Sequence, residues 1–127
     1  MNGKRYLFDT NAFIKLLSGN ESIRVIIEDA DFLATSVICQ MEFLAYPKLT
    51  DETRNAFLQF LSRISVYDVL ASDEALMRET VTMRNECGMK LPDAIIAATA
   101  FVNGCIVISN DDHFNRQTRV QVRTYDL

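Results

Sequence analysis

A chain of 127 residues, 49% of them hydrophobic, fits one compact domain spanning residues 1–127, with its own core and too little length for a second. No apolar run approaches the roughly 20 residues that cross a bilayer, and the charged opening Met1-Asn2-Gly3-Lys4-Arg5 leads into a run too short for a signal peptide, so a cytoplasmic protein without membrane contact is expected. The net charge of −4 counts against a nucleic-acid binder, because phosphate contacts come mainly from lysine and arginine, yet its distribution changes that reading.

Arg5-Tyr6-Leu7-Phe8-Asp9 is a short apolar run ending in a carboxylate, read as a buried central strand that delivers Asp9 to its carboxyl end. In open parallel sheets, ligands gather at that edge. Phe13, Leu16 and Leu17 then mark a short helical face, with Asn11 as its expected N-cap and Gly19 as its stop. Ile23, Ile26, Ile27 and Ala30 recur at i, i+3, i+4 and i+7, which predicts a helix over residues 21 to 30. Phe32-Leu33-Ala34-Thr35 reads as a buried strand, and Ser36 is placed to cap the next helix. Residues 37 to 46 are apolar except Gln40 and Glu42, so the Glu42 carboxylate is expected within an apolar face, where an unpartnered charge needs compensation.

Phe57, Phe60, Leu61 and Ile64 predict a helix over about residues 51 to 64, followed by a weak strand at 65 to 69. Ser72 is the expected cap of a longer helix with Leu76, Thr80, Met83 and Cys87 inward and Gly88 as its stop. Leu91-Pro92-Asp93 opens a helix whose stretch Ala94 to Val102 is apolar or small all round, a sign of complete burial, and Gly104 closes it. Asp93 in the first turn suits the helix dipole whatever else it does. Cys105 to Ser109 is a β-branched strand with the exit Asn110-Asp111-Asp112-His113, and Val120, Val122 and Tyr125 suggest a last, more exposed strand. Cys39, Cys87 and Cys105 are widely spaced, odd in number and lack a CxxC pair, so buried thiols are expected rather than disulfides or a zinc site.

Strands separated mostly by helices imply an α/β domain with a mainly parallel sheet. Right-handed crossovers would bring Asp9, Asp111, Asp93 and the start of the Glu42 helix to one edge. Four carboxylates in one cleft repel one another unless a cation holds them. All-oxygen ligation suits magnesium or manganese, and such an ion activates water and neutralises charge on a phosphate. That chemistry is phosphodiester hydrolysis. Without Asp9, Glu42, Asp93, Asp111 and Asp112 the remaining chain is slightly basic, and Arg116, Arg119 and Arg123 are candidate phosphate contacts. His113 is the single histidine and reads as incidental, because water activated by a metal needs no imidazole.

Asp9-Thr10-Asn11, then Glu42, then Leu91-Pro92-Asp93 followed by Ala-Ile-Ile-Ala, and Ser109-Asn110-Asp111 with Phe114, resemble in order the motifs of PIN domains, and most of all the small VapC-type toxins of prokaryotic toxin–antitoxin pairs. The resemblance covers nearly the whole chain. It implies a three-layer α/β/α sandwich, a ribonuclease dependent on Mg2+ or Mn2+ and acting on single-stranded or loop RNA, homodimerisation, and inhibition by a cognate antitoxin. It assigns Asp9, Glu42, Asp93 and Asp111 as the acidic, metal-holding quartet, and Asn11 and Ser109 as polar supports. Ser109 stands where threonine is frequent, and Phe43 follows Glu42 where leucine is more usual; neither departure removes an acid. The alternative is a non-catalytic metal- or phosphate-binding module, in which a Thr or Ser and acids at strand ends accept a phosphate, although the tail offers arginines where such a module uses a lysine. An aspartyl phosphatase is disfavoured because Asn11 stands where its second Asp belongs.

Overall fold

The computed structural model describes residues 3–127; Met1 and Asn2, part of the charged opening, lie outside the described residues. In chain order the elements are β1 (Arg5–Phe8), α1 (Thr10–Leu17), α2 (Glu21–Glu28), β2 (Phe32–Ser36), α3 (Val37–Leu44), α4 (Asp51–Leu61), β3 (Ser65–Tyr67), α5 (Glu74–Cys87), α6 (Leu91–Asn103), β4 (Ile106–Ile108), α7 (Asp112–Asn115) and β5 (Val122–Arg123). The five strands form one parallel sheet in the order β3-β2-β1-β4-β5, flanked by helices as a three-layer sandwich. Leu7 lies in register with Ala34 on one side and Val107 on the other. Strands covered on both faces have no polar side to present, which is why β1 and β4 read as continuous apolar runs.

After β1 the chain builds β2 and β3 outward on one side, then returns through α5 and α6 to place β4 on the other side of β1. The carboxyl ends of β1 and β4 therefore flank the point where the connections diverge, the position at which open α/β sheets form clefts. An aromatic cluster lies just behind it. Phe8 stacks on Phe13 with ring centroids 4.7 Å apart, Phe57 meets Phe13 edge-on at 5.2 Å, and Phe43 stacks on Phe57 at 3.9 Å. These rings tie β1, α1, α3 and α4 together. Phe8 and Phe43 immediately precede Asp9 and follow Glu42 in the chain, so the packing of the rings fixes where both carboxylates emerge.

Local signals locate most elements, with instructive exceptions. The N-cap of α1 is Asp9, not Asn11: the strand ends one residue earlier than Asp9, and the Asp9 side chain accepts a hydrogen bond from the Ala12 N–H. Asp73, not Ser72, caps α5 by accepting from Leu76, and Gly88 closes that helix in the left-handed region at φ +64°, as expected. Helix α6 carries Pro92 in its first turn and buries Ala94 and Ile96 through Ala100, but its burial is not all round: Phe101 is 46% exposed, with the Arg119 guanidinium over its ring. The short helix α7 was hidden in what read as a turn, because Asp111 and Asp112 serve turns and helix starts alike. The last strand contracts to Val122 and Arg123, although Val120 and Tyr125 on either side are buried. All three cysteines are free thiols, with Cys39 and Cys105 buried and Cys87 half-buried.

Truncating the ring at the centre of the cluster should be costly. Phe57→Ala is expected to lower unfolding free energy by about 3–5 kcal/mol, and Val25→Ala, at an exposed position, by less than about 0.5 kcal/mol. Urea denaturation followed by circular dichroism measures both.

Candidate functional site

Asp9 ends β1 and begins α1, and its side chain is almost wholly buried. Its Oδ1 accepts the Ala12 N–H at 2.7 Å. Burial raises its pKa from the ordinary carboxylate value to about 6; hydrogen bonds from Ser109 and Ala12 oppose that shift, and the charges of Asp111 and Asp93 add to it. Ser109, fully buried at the end of β4, also accepts the Asp111 N–H at 3.0 Å, so one hydroxyl links the two strand ends.

Asp93 enters from the first turn of α6. Its pKa is raised, first by burial and then by the negative charge of Asp111; His113 acts against the rise, Glu42 adds to it, and Lys90 opposes it. Asp111 caps α7, its Oδ1 accepting the His113 N–H at 2.8 Å. Glu42 differs from expectation. It is exposed, not embedded in an apolar face, because α3 spans only eight residues and the neighbours Ala45 and Tyr46 themselves face outward. Its place is set instead by the Thr10 hydroxyl, which donates to Glu42 Oε1 at 2.7 Å.

The expected convergence of the four acids is therefore present: Asp9, Glu42, Asp93 and Asp111 line one open cleft, with Thr10 and the exposed Asn11 at its side. Asp112 points its residue surface to solvent. Among the described residues no lysine or arginine forms an ion pair with any of the four. Carboxylates whose charges add to the raised pKa values of Asp9 and Asp93, with no lysine or arginine ion-paired to them among the described residues, make a donor set suited to a hard divalent ion.

Two participants had escaped notice. Thr10 stands inside the Asp9-Thr10-Asn11 motif but nothing in a single sequence couples it to Glu42, 32 residues away. His113 read as incidental, yet its Nδ1 lies 3.0 Å from Asp111 Oδ1 and 3.8 Å from Asp93 Oδ2. The available signal was its position two residues beyond Asp111.

The three tail arginines do not form one patch. Arg116 and Arg119 share a groove beside Glu86, whereas Arg123 lies in another, beside Tyr6 and Val25. Arg119 is also committed elsewhere: its Nε and Nη2 each donate to a Glu79 oxygen at 2.7 Å, a two-pronged pairing that holds the segment after α7 to α5. Arg123 Nη1 reaches the Tyr6 hydroxyl at 3.4 Å.

The family model of the PIN domain matches residues 6–120 of the chain. Among solved structures, the chain is similar to a toxin–antitoxin complex from Klebsiella pneumoniae, with 28% identity, 92% of this chain and 99% of that one covered, and a TM-score of 0.74. It shares its fold with DNA-bound VapBC from Salmonella typhimurium, at 24% identity with 95% and 98% of the chains covered and a TM-score of 0.78. The same holds for VapBC2 from Rickettsia felis bound to a promoter DNA fragment, at 18% identity with 96% and 99% covered and a TM-score of 0.78. No curated protein matches the sequence.

The buried acid has a measurable consequence. Because the folded pKa of Asp9 lies above its unfolded value, the native state takes up a proton between about pH 6 and pH 4, and this group's contribution makes the metal-free protein more stable as pH falls through that window. Asp9→Asn removes the penalty of ionising a buried group, so it should stabilise the metal-free protein at pH 7.5 by up to about 3 kcal/mol, with the gain fading toward pH 4. Thermal unfolding of both proteins in chelator across this pH range checks it.

Proposed function

The chain belongs to the PIN domain family, and from that membership we propose that it is the toxin of a toxin–antitoxin pair, a metal-dependent endoribonuclease that hydrolyses RNA phosphodiester bonds. The observation that carries this reading is the gathering of four carboxylates in one cleft with no lysine or arginine paired to them among the described residues. Asp9, Glu42, Asp93 and Asp111 would hold Mg2+ or Mn2+. A bound divalent ion would lower the pKa of a coordinated water, making it a better nucleophile, and would supply positive charge for the developing phosphate oxyanion.

The chain's own residues supply orientation. Asp9 is held by the Ala12 N–H and by Ser109. Ser109 also holds the backbone of Asp111, so the ends of β1 and β4 keep a fixed separation. Thr10 holds the exposed Glu42 side chain, and Asn11 supplies an amide at the side of the cleft where a phosphate or a bound water would be met. Rigid placement of this kind is what phosphoryl chemistry requires of a protein, since positioning and electrostatic stabilisation account for most of the rate. Arg116 and Arg123 would contact the RNA backbone outside the cleft. Arg119, also a candidate contact, has a structural bond to Glu79 besides.

A cognate antitoxin as partner is supported by the toxin–antitoxin complex of Klebsiella pneumoniae, which the chain matches over almost its full length. A homodimer is proposed from the resemblance to VapC-type PIN domains. No helix among the described residues is long and apolar enough to cross a membrane.

Purified protein should cut a pool of structured RNAs with Mg2+ or Mn2+ and not in chelator. Asp9→Asn and Asp93→Asn should each cut at least about 100-fold more slowly while remaining folded. Equal cleavage by all three proteins would identify a contaminating nuclease, and metal binding without cleavage would favour a non-catalytic binding module. For the arginines, Arg116→Ala combined with Arg123→Ala should weaken RNA binding and reduce the slope of log Kd against log salt by about 1–2. Fluorescence anisotropy over a range of salt concentrations measures it, and an unchanged slope counts against both contacts.

A further inference from the structure

We propose that His113 is itself a ligand of the ion held in this cleft, binding through Nδ1 beside Asp93 and Asp111, which makes the centre a mixed nitrogen–oxygen site that prefers a divalent first-row transition ion to magnesium. The inference rests on the metal-dependent reading above and specifies its ligand set.

The geometry is that of donors converging on one point. One ligand atom each from Asp93, Asp111 and His113 lie within 4.8 Å of one another. Bonds of about 2.1 Å in an octahedral shell put neighbouring donors about 3.0 Å apart and opposite donors about 4.2 Å apart. His113 Nδ1 stands 3.0 Å from Asp111 Oδ1, the spacing of neighbouring donors, and 3.8 Å from Asp93 Oδ2, short of the spacing of opposite ones. The imidazole needs no rearrangement of the chain to serve. It is carried by the first turn of α7, and its backbone N–H donates to the Asp111 carboxylate, so the ring and the acid are placed by the same local structure. The side chain is 43% exposed, which leaves room for an ion and its waters.

Chemistry decides what the nitrogen adds. Magnesium binds oxygen and gains little from imidazole, whereas affinity for a site containing nitrogen rises along the first transition series from manganese to cobalt and beyond. Asp9, Glu42, Asp93 and Asp111 alone offer oxygen only and discriminate weakly among these ions. The rival role for His113 is to donate from Nδ1 to Asp111 and orient that acid without touching the ion. The two roles differ in what they predict for magnesium, since an orienting residue serves every ion that Asp111 binds.

The test uses the whole chain, stripped of metal, with Mn2+, Co2+ and Mg2+ as probes. Electron spin-echo modulation of the Mn2+ complex should show coupling to a directly bound nitrogen in the unaltered protein and none in His113→Asn or His113→Gln. Calorimetric titration should give a Co2+ affinity about tenfold weaker in either variant, with Mg2+ affinity changed less than twofold. Bound Mn2+ without nitrogen coupling, or equal weakening of Co2+ and Mg2+, would assign His113 the orienting role and overturn the proposal while leaving the metal-dependent reading intact. Failure of the unaltered protein to bind any of the three ions, matching Asp93→Asn, would overturn both.

Discussion

Repulsion among carboxylates crowded at one edge of a parallel sheet is the constraint around which this molecule is arranged. Left to themselves, Asp9, Asp93 and Asp111 would separate or take up protons; burial raises the pKa values of Asp9 and Asp93, and the neighbouring negative charges add to the rise. What holds them is distributed behind the cleft. The stacked phenylalanines fix β1 against α1, α3 and α4. The buried Ser109 joins the exits of β1 and β4, and the amino-terminal turn of α6 aims its dipole at the Asp93 carboxylate. The favourable energy of the core is thereby spent, in part, on keeping like charges together.

A cleft maintained in this way favours positive charge, and among the described residues no lysine or arginine is ion-paired to its acids. The arginines lie elsewhere: Arg119 is drawn to Glu79 and lies over Phe101, Arg123 faces Tyr6, and Arg5 packs on Phe32; Lys90 is a cation whose charge reaches Asp93. Segregating the arginines from the acids leaves the centre open to a mobile cation and places positive charge outside it, where a polyanionic chain would run. His113 is the exception, a nitrogen donor set directly between two of the acids.

The two inner strands β1 and β4 were the most legible parts of the sequence, because a strand buried on both faces must be apolar throughout, and β1 and β4 largely are. Helix caps were legible only to within a residue or two. Asp9 and Asn11 are both good caps, and which one serves depends on where the strand stops, a decision made by pairing with β2 and β4. Glu42 lines the cleft, but it is not embedded in an apolar face. Its helical neighbours are apolar, but apolar neighbours mean burial only if another element covers them, and nothing covers the outer side of α3 at Ala45 and Tyr46.

The sequence by itself determined the α/β class, the order of the elements, and the identities of the acids that meet, since apolar periodicity, β-branched runs and strand-end carboxylates are local properties that survive in one dimension. Only the tertiary structure decided how those acids are held and what stands among them. The bond from Thr10 to Glu42 spans 32 residues, that from Arg119 to Glu79 spans 40, and His113 approaches Asp93 from a different helix. Contacts of that range depend on strand order and helix packing, which place residues side by side without leaving any periodic trace in the chain.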